Sequence, residues 1–364
     1  MRIMVVPCDG IGPEITRATM EVLEATDSAF GLGLEFEYEE TGFDSLAKYG
    51  TTLRPETIER ARRFDGVILG PQSHMDYPAR DEGGINVSAG FRTGLDLYAN
   101  VRPARVRPFL PARVPAMDIV IMREATEGFY PDRNMFKGIG EFMPTPDVAL
   151  SVRKITAPAC ERIARAAFEM AMKRGRHVTA VHKANNFIVT DGLFLERVRT
   201  VACEFPEVRL DEVIIDAMAA HLVRDPSRYD VIVTTNFYAD ILSDLASELS
   251  GSLGLAGSIN ANAQTGLVCA QAQHGSAPDI QGRNVANPTS LILSAAMMLS
   301  WLGEQRGLPG FEAAGQAITE AVDAVLAEPG NRTRDLGGST NCDDFGHLVA
   351  EAIAVPELRA AAAG

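Results

Sequence analysis

The stretch TTNFYADILSDLASELSGSLG, residues 234–254, sets Asp240 and Asp244 four positions apart, on one face of a helix that follows a strand ending at Thr234. Like charges at that spacing repel by roughly a few tenths of a kcal/mol unless a cation lies between them. A hard divalent ion held by carboxylate oxygens suits the pair, and a solvated acidic helix face accounts for it as well. In GFRTGLDLYANVRPARVRP, Arg92 and Arg102 stand in apolar and aromatic surroundings, and Arg123 ends the strand Ile119 to Met122. Arginine binds carboxylates bidentately, so three converging arginines suit a substrate with two or three carboxylates, whereas each one singly reads as a surface ion pair. In TAVHKANNFIVTDG, Lys183 directly follows the apolar strand Val178 to Val181. Partial burial beside a cation would lower its pKa and make it a base; a surface lysine at a strand end fits the same pattern.

These residues need a scaffold, and the apolar periodicity supplies an α/β one. Strand-like segments Gly66–Gly70, Asp118–Met122 and Tyr229–Thr234 alternate with helical patterns at Ala159–Arg174 and Gly192–Phe205. Residues 131–151, rich in Gly and Pro, read as a long loop or a protruding arm. The N-terminal PCDGIGPEI reads as strand, turn and helix: Pro13 suits a first helical turn and Glu14 the positive end of the helix dipole. It has two glycines of the dinucleotide fingerprint, Gly10 and Gly12, but Ile15 stands where the third belongs.

With 34 basic against 48 acidic residues the net charge is −14, and no basic stripe suits nucleic acid. The apolar run Leu291–Leu302 is too short to span a bilayer. Five scattered cysteines without metal-type spacing fit a reducing cytoplasm.

Seven motifs in order, DGIGPEI, LDLYANVRP, REATEGFY, HKAN, DAMAAHLV, TTNFYADILSDLAS and HGSAPDIQGRNVANPTSLILSAAMML, span nearly the whole chain. Together the chain resembles the metal-dependent β-decarboxylating dehydrogenases: isocitrate, homoisocitrate, 3-isopropylmalate and D-malate or tartrate dehydrogenases. The resemblance implies a two-domain α/β fold with a large mixed sheet, not a Rossmann fold. Its large cofactor-binding domain would comprise residues 1–98 and 252–364, and its small domain, with dimer interface and metal site, residues 99–251.

Carried over position by position, the resemblance makes Arg92, Arg102 and Arg123 clamps for the malate carboxylates, and Tyr130 and Lys183 the acid–base pair. Asp216, Asp240 and Asp244 would hold Mg²⁺ or Mn²⁺. Lys183 and Asp216 would reach the site of the other subunit, which implies a homodimer, with dimers pairing into tetramers as the alternative. The Ala, Leu and Met-rich segments Ala217–Leu222 and Leu242–Leu249 suit that interface. The adenosine half of NAD would lie against His274, Gly275, Ser276, Ala277, Asp279 and Ile280, with Asn287 nearby and Ile11 packing near the nucleotide. Asp279 accepts from ribose hydroxyls and repels a 2′-phosphate, hence NAD.

Substrate choice rests on the residues before Arg92. Ser88 and Ala89 replace two leucines that cover the isopropyl group in isopropylmalate enzymes, and Asn86 and Ser88 stand where isocitrate enzymes place polar groups for a third carboxylate. Isocitrate- or homoisocitrate-like acids are favoured, with 3-isopropylmalate, D-malate and tartrate as alternatives. Cys8 replaces a glycine, Ala125 an asparagine, and Gln271 a glutamate usual near the cofactor. A non-catalytic regulatory subunit is the rival reading; the retained Tyr130, Lys183, Asp216, Asp240 and Asp244 argue for an active enzyme.

Overall fold

The computed structural model describes residues 1–354, and they fold as two compact units. The first comprises Met1–Leu97, Arg107–Pro111 and, among the described residues, the chain from Ser252 onward; the second comprises Tyr98–Val106 and Ala112–Gly251. In chain order the first unit carries β1 (Arg2–Val6), α1 (Gly12–Phe30), β2 (Glu35–Tyr38), α2 (Gly42–Tyr49), α3 (Pro55–Ala61), β3 (Gly66–Leu69) and α4 (Val87–Gly94). The second carries β4 (Ala99–Arg105), β5 (Asp118–Glu124), β6 (Glu141–Thr145), β7 (Val148–Ser151), α5 (Ala157–Met172), β8 (His177–His182), α6 (Thr190–Ala202), β9 (Arg209–Ile214), α7 (Ile215–Arg224), β10 (Val231–Thr234) and α8 (Asn236–Ser250). The first then resumes with β11 (Ile259–Asn262), β12 (Leu267–Gln271), α9 (Thr289–Arg306), α10 (Pro309–Ala327) and α11 (Cys342–Ala354).

Each unit contributes five strands of mixed sheet. In the first the order is β2-β1-β3-β12-β11, parallel except for the β11–β12 pair. In the second the order is β4-β5-β10-β8-β9, parallel except for β4–β5. The strand β10, VIVT, is buried throughout, as expected of a parallel strand covered on both faces by helices. The first unit's core gathers Met4, Val6, Val67, Leu69, Phe91 and Leu97; the second's gathers Ile119, Ile121, Ile232, Leu222, Leu242 and Leu249.

Of three local expectations, the first and third are revised and the second is met. Residues 131–151 are not all loop: β6 and β7 form an antiparallel pair whose residues are all exposed. With neither face buried, the pair imposes no apolar alternation for the sequence to display. The apolar run Leu291–Leu302 lies in α9, buried on nearly every side and packed against α10, α1 and β12. No helix among the described residues is long and apolar enough to cross a membrane. Finally, Leu222, Leu242 and Leu249, assigned to an interface, fill the second unit's own core; the exposed apolar residues of α7 and α8 are Val223, Phe237 and Ile241.

Candidate functional site

In the second unit, strand register gathers the charges. Asn100 of β4 pairs opposite Arg123 of β5, and Arg102, two residues on, shares its face. Thr234, at the end of β10, pairs with Arg123 from the other side, so α8 starts beside that guanidinium. Arg123 is 2 % exposed. Its Nε donates to Asn236 Oδ1 at 2.8 Å, its Nη1 pairs with Asp240, and its Nη2 lies 3.4 Å from the Tyr130 hydroxyl. Asn236 and Asp240 sit one helical turn apart and so hold one guanidinium together. The Tyr130 hydroxyl donates to the other oxygen of Asp240.

Arg102 completes the cluster. Its Nε donates to Asn100 Oδ1 at 2.7 Å; its Nη1 reaches Ser243 Oγ at 2.7 Å, Asp240 Oδ1 at 3.1 Å and Asp244 Oδ1 at 3.6 Å. The cation between Asp240 and Asp244 in this structure is therefore an arginine. Burial, then the neighbouring Arg123 charge, push the Arg102 guanidinium down to about 10, which leaves it cationic at neutral pH.

Lys183 and Asp216 lie apart from that cluster. Lys183 directly follows β8 and Asp216 lies in the first turn of α7, and the pairing of His182 with Ile214 brings them side by side as an ion pair. The partner of Lys183 is thus a carboxylate rather than the expected cation, and its ammonium holds the Asp216 carboxyl below the usual range. The Lys183 backbone N–H donates to Asp191 at 2.5 Å, and the buried Asp191 pairs with Arg153 at 2.5 Å. The Arg153 guanidinium lies over the rings of Phe129, Phe187 and Tyr238. Among the described residues no group of three or more His, Cys, Asp or Glu side chains is placed to hold a metal. Asp216 therefore does not join Asp240 and Asp244 within one chain.

In the first unit, Asn86 caps α4: its Oδ1 accepts from Ala89 N and from Gln72 Nε2, both at 2.9 Å. Ser88, 1 % exposed, takes Arg92 Nη2 on its hydroxyl at 2.8 Å and gives its proton to Gln271 Oε1 at 2.9 Å. The loop after β12 carries His274, Gly275, Ser276, Ala277, Asp279 and Ile280, and PCDGIG holds it from beneath. Ile11 N donates to Ser276 O at 2.8 Å, and Ser73 and Ser276 share a hydroxyl bond at 2.8 Å. A Cβ on Gly10 would stand 2.0 Å from Ser276 O, so only glycine permits this approach. Ile15 is fully buried, and Ile11 is 4 % exposed, so both serve the core. Gly275 and Asp279 are exposed, whereas Asn287, just before the first turn of α9, accepts from Thr289 N at 3.0 Å and donates to Asp335 at 2.9 Å. The His274 ring is kept neutral by burial, and its Nε2 is buried with no partner among the described residues. That orphaned nitrogen, beside exposed loop backbone, fits a bound polar cofactor.

The family model described as isocitrate/isopropylmalate dehydrogenase matches residues 2–349. The chain belongs to the isocitrate/isopropylmalate dehydrogenase family. It is 43% identical over 354 residues to the isocitrate/homoisocitrate dehydrogenase of Thermus thermophilus, covering 97% of this chain and 98% of the relative. It is 41% identical to the 3-isopropylmalate dehydrogenase of Archaeoglobus fulgidus, covering 96% and 98%. The crystal structure of isocitrate dehydrogenase from Methylococcus capsulatus superposes with a TM-score of 0.85 at 36% identity, covering 97% and 99% of the two chains. Members of the isocitrate/isopropylmalate dehydrogenase family are oxidoreductases, and the α/β scaffold with mixed sheet is theirs.

Within this family member, sequence reading missed the orienting groups: Asn100, Asn236 and Ser243 on the arginines, Gln72 on Asn86, Asn260 on Gln271, and Asp191 on the Lys183 backbone. Asn236 and Asp191 lay inside quoted motifs, but a neutral amide and a carboxylate at a helix start read locally as caps.

Proposed function

We propose that the chain oxidises a 3-substituted malate with NAD and releases CO₂, yielding a 2-oxo acid, with isocitrate- or homoisocitrate-like acids preferred. One observation carries this reading: two guanidinium groups, a phenol and two carboxylates converge at the C-terminal end of β5 and the start of α8. Guanidinium groups bind substrate carboxylates, and Tyr130 can hand a proton to carbon. Asp240 and Asp244 already draw a cation between them, so their oxygen donors fit Mg²⁺ or Mn²⁺, with Asp216 of a second copy as the further ligand. When bound, the ion supplies Lewis acidity that lowers the pKa of the C2 hydroxyl.

The chain's own residues do the rest. Arg92, Arg102 and Arg123 orient the acid; Lys183, from the second copy, takes the C2 hydroxyl proton, and NAD, which His274 to Ile280 and Asn287 would hold, would supply the hydride acceptor for C2. The resulting β-keto acid breaks its C–CO₂ bond, and Tyr130 protonates the carbon that is left, with Lys183 returning its proton to the phenol. The homodimer is the smallest active unit, and the five free cysteines, four of them buried, suit the cytoplasm.

A 3-isopropylmalate substrate is the second reading, favoured by the Archaeoglobus relative. Against it, the buried Ser88 and Ala89 offer no large apolar cover. The deciding experiment assays the purified enzyme with NAD and Mn²⁺ on isocitrate, homoisocitrate, 3-isopropylmalate, D-malate and tartrate. Turnover of the tricarboxylates with CO₂ release is expected; turnover of 3-isopropylmalate alone overturns the substrate reading.

A further inference from the structure

Ser88 touches two side chains with opposite demands. Arg92, one turn later on α4, can only donate, so its contact at 2.8 Å consumes a lone pair of the Ser88 hydroxyl. The hydroxyl proton then needs an acceptor, and Gln271 Oε1 lies 2.9 Å away. Asn260 Nδ2, at 3.5 Å from the same oxygen, fixes which end of the Gln271 amide faces Ser88. Gln271 is itself anchored at the end of β12: its N–H donates to Ser258 O at 3.1 Å, and its carbonyl accepts from Ser258 Oγ at 3.1 Å and Ser294 Oγ at 3.0 Å. A directional chain thus runs from rigid strand to guanidinium, through a hydroxyl that is 1 % exposed.

We propose that Gln271 is a positioning residue for substrate specificity, setting through Ser88 the direction in which the Arg92 guanidinium meets a substrate carboxylate. This rests on the proposed assignment of Arg92 as a carboxylate clamp. Two consequences follow from the chemistry. Ser88 presents no hydroxyl proton to substrate, because Gln271 holds it. The acceptor here is also neutral, whereas the glutamate usual at this place would bring a charge that competes with the substrate for Arg92.

The test is a double-mutant cycle of Gln271→Leu, Ser88→Ala and the pair, read as KM for the best acid, KM for NAD, kcat and Tm. Gln271→Leu is expected to raise KM for the acid roughly five- to twentyfold, in line with a lost hydrogen bond to a charged group's partner. KM for NAD and kcat should stay within about twofold, and Leu at 271 should add nothing in the Ser88→Ala background. Additive effects, or parallel losses in both KM values and Tm, overturn the relay. Crystal structures of the wild type and of Gln271→Leu separate the relay from the assignment on which it rests. If the wild type turns over none of the acids, that assignment fails, yet Arg92 leaving Ser88 in the variant still supports the relay, and Arg92 staying in place overturns it.

Discussion

Asp240 accepts from Arg102, Arg123 and Tyr130 at once, so one carboxylate sets the direction of three groups assigned to the substrate. Asp240→Asn keeps the shape but removes the charge that both guanidinium groups lean on. We expect turnover with NAD and Mn²⁺ to fall at least about a hundredfold and Tm to fall with it, since the nearly buried Arg123 loses its counter-charge. Full activity in the Asn variant at any Mn²⁺ concentration would remove Asp240 from the site. The residue types were legible from the sequence; their pairings were not. Asp240 and Asp244 suggested an intervening cation, but the guanidinium that fills the place comes from β4, more than a hundred residues earlier, and no local pattern connects the two.

Among the elements, α5 has the least ordinary start. Its cap, Thr156, donates from backbone and hydroxyl to the Glu127 carboxylate at 2.7 and 2.9 Å, while Glu124 lies buried nearby. Burial, assisted by the Glu124 charge, pushes the Glu127 carboxyl up from the usual 4.5 to about 7. Between those values the folded chain holds a proton that the unfolded chain has lost, so this group's contribution to stability falls as pH rises through that window and is flat above it. Relative to Glu127→Gln, the wild type should lose roughly 2 kcal/mol between pH 5 and pH 8 in urea unfolding. Parallel curves for the two proteins would contradict the raised pKa. Helices and buried strands announced themselves through apolar spacing, as with α5 and β10. The pair β6–β7 did not, because exposure on both faces leaves no pattern to read.

In the assembled enzyme, the ion pair of Lys183 with Asp216 and the cluster on Asp240 belong to one chain but, in the proposed dimer, to different sites. Mixing two inactive proteins tests this. Lys183→Met and Asp240→Asn chains, unfolded together and refolded, should form mixed dimers in which one site has both defects and the other has none. Random pairing then restores about a quarter of wild-type activity. No recovery above either parent, with mixed dimers verified by mass, would place both residues in the same site.

The arginine lodged between Asp240 and Asp244 also bears on how the protein comes into being. Arg102 and Arg123 set two positive charges against the two carboxylates, so these four groups balance among themselves. A newly made chain can therefore collapse and bury this region without an uncompensated ion in its interior, and its maturation need not wait on the supply of any dissolved metal.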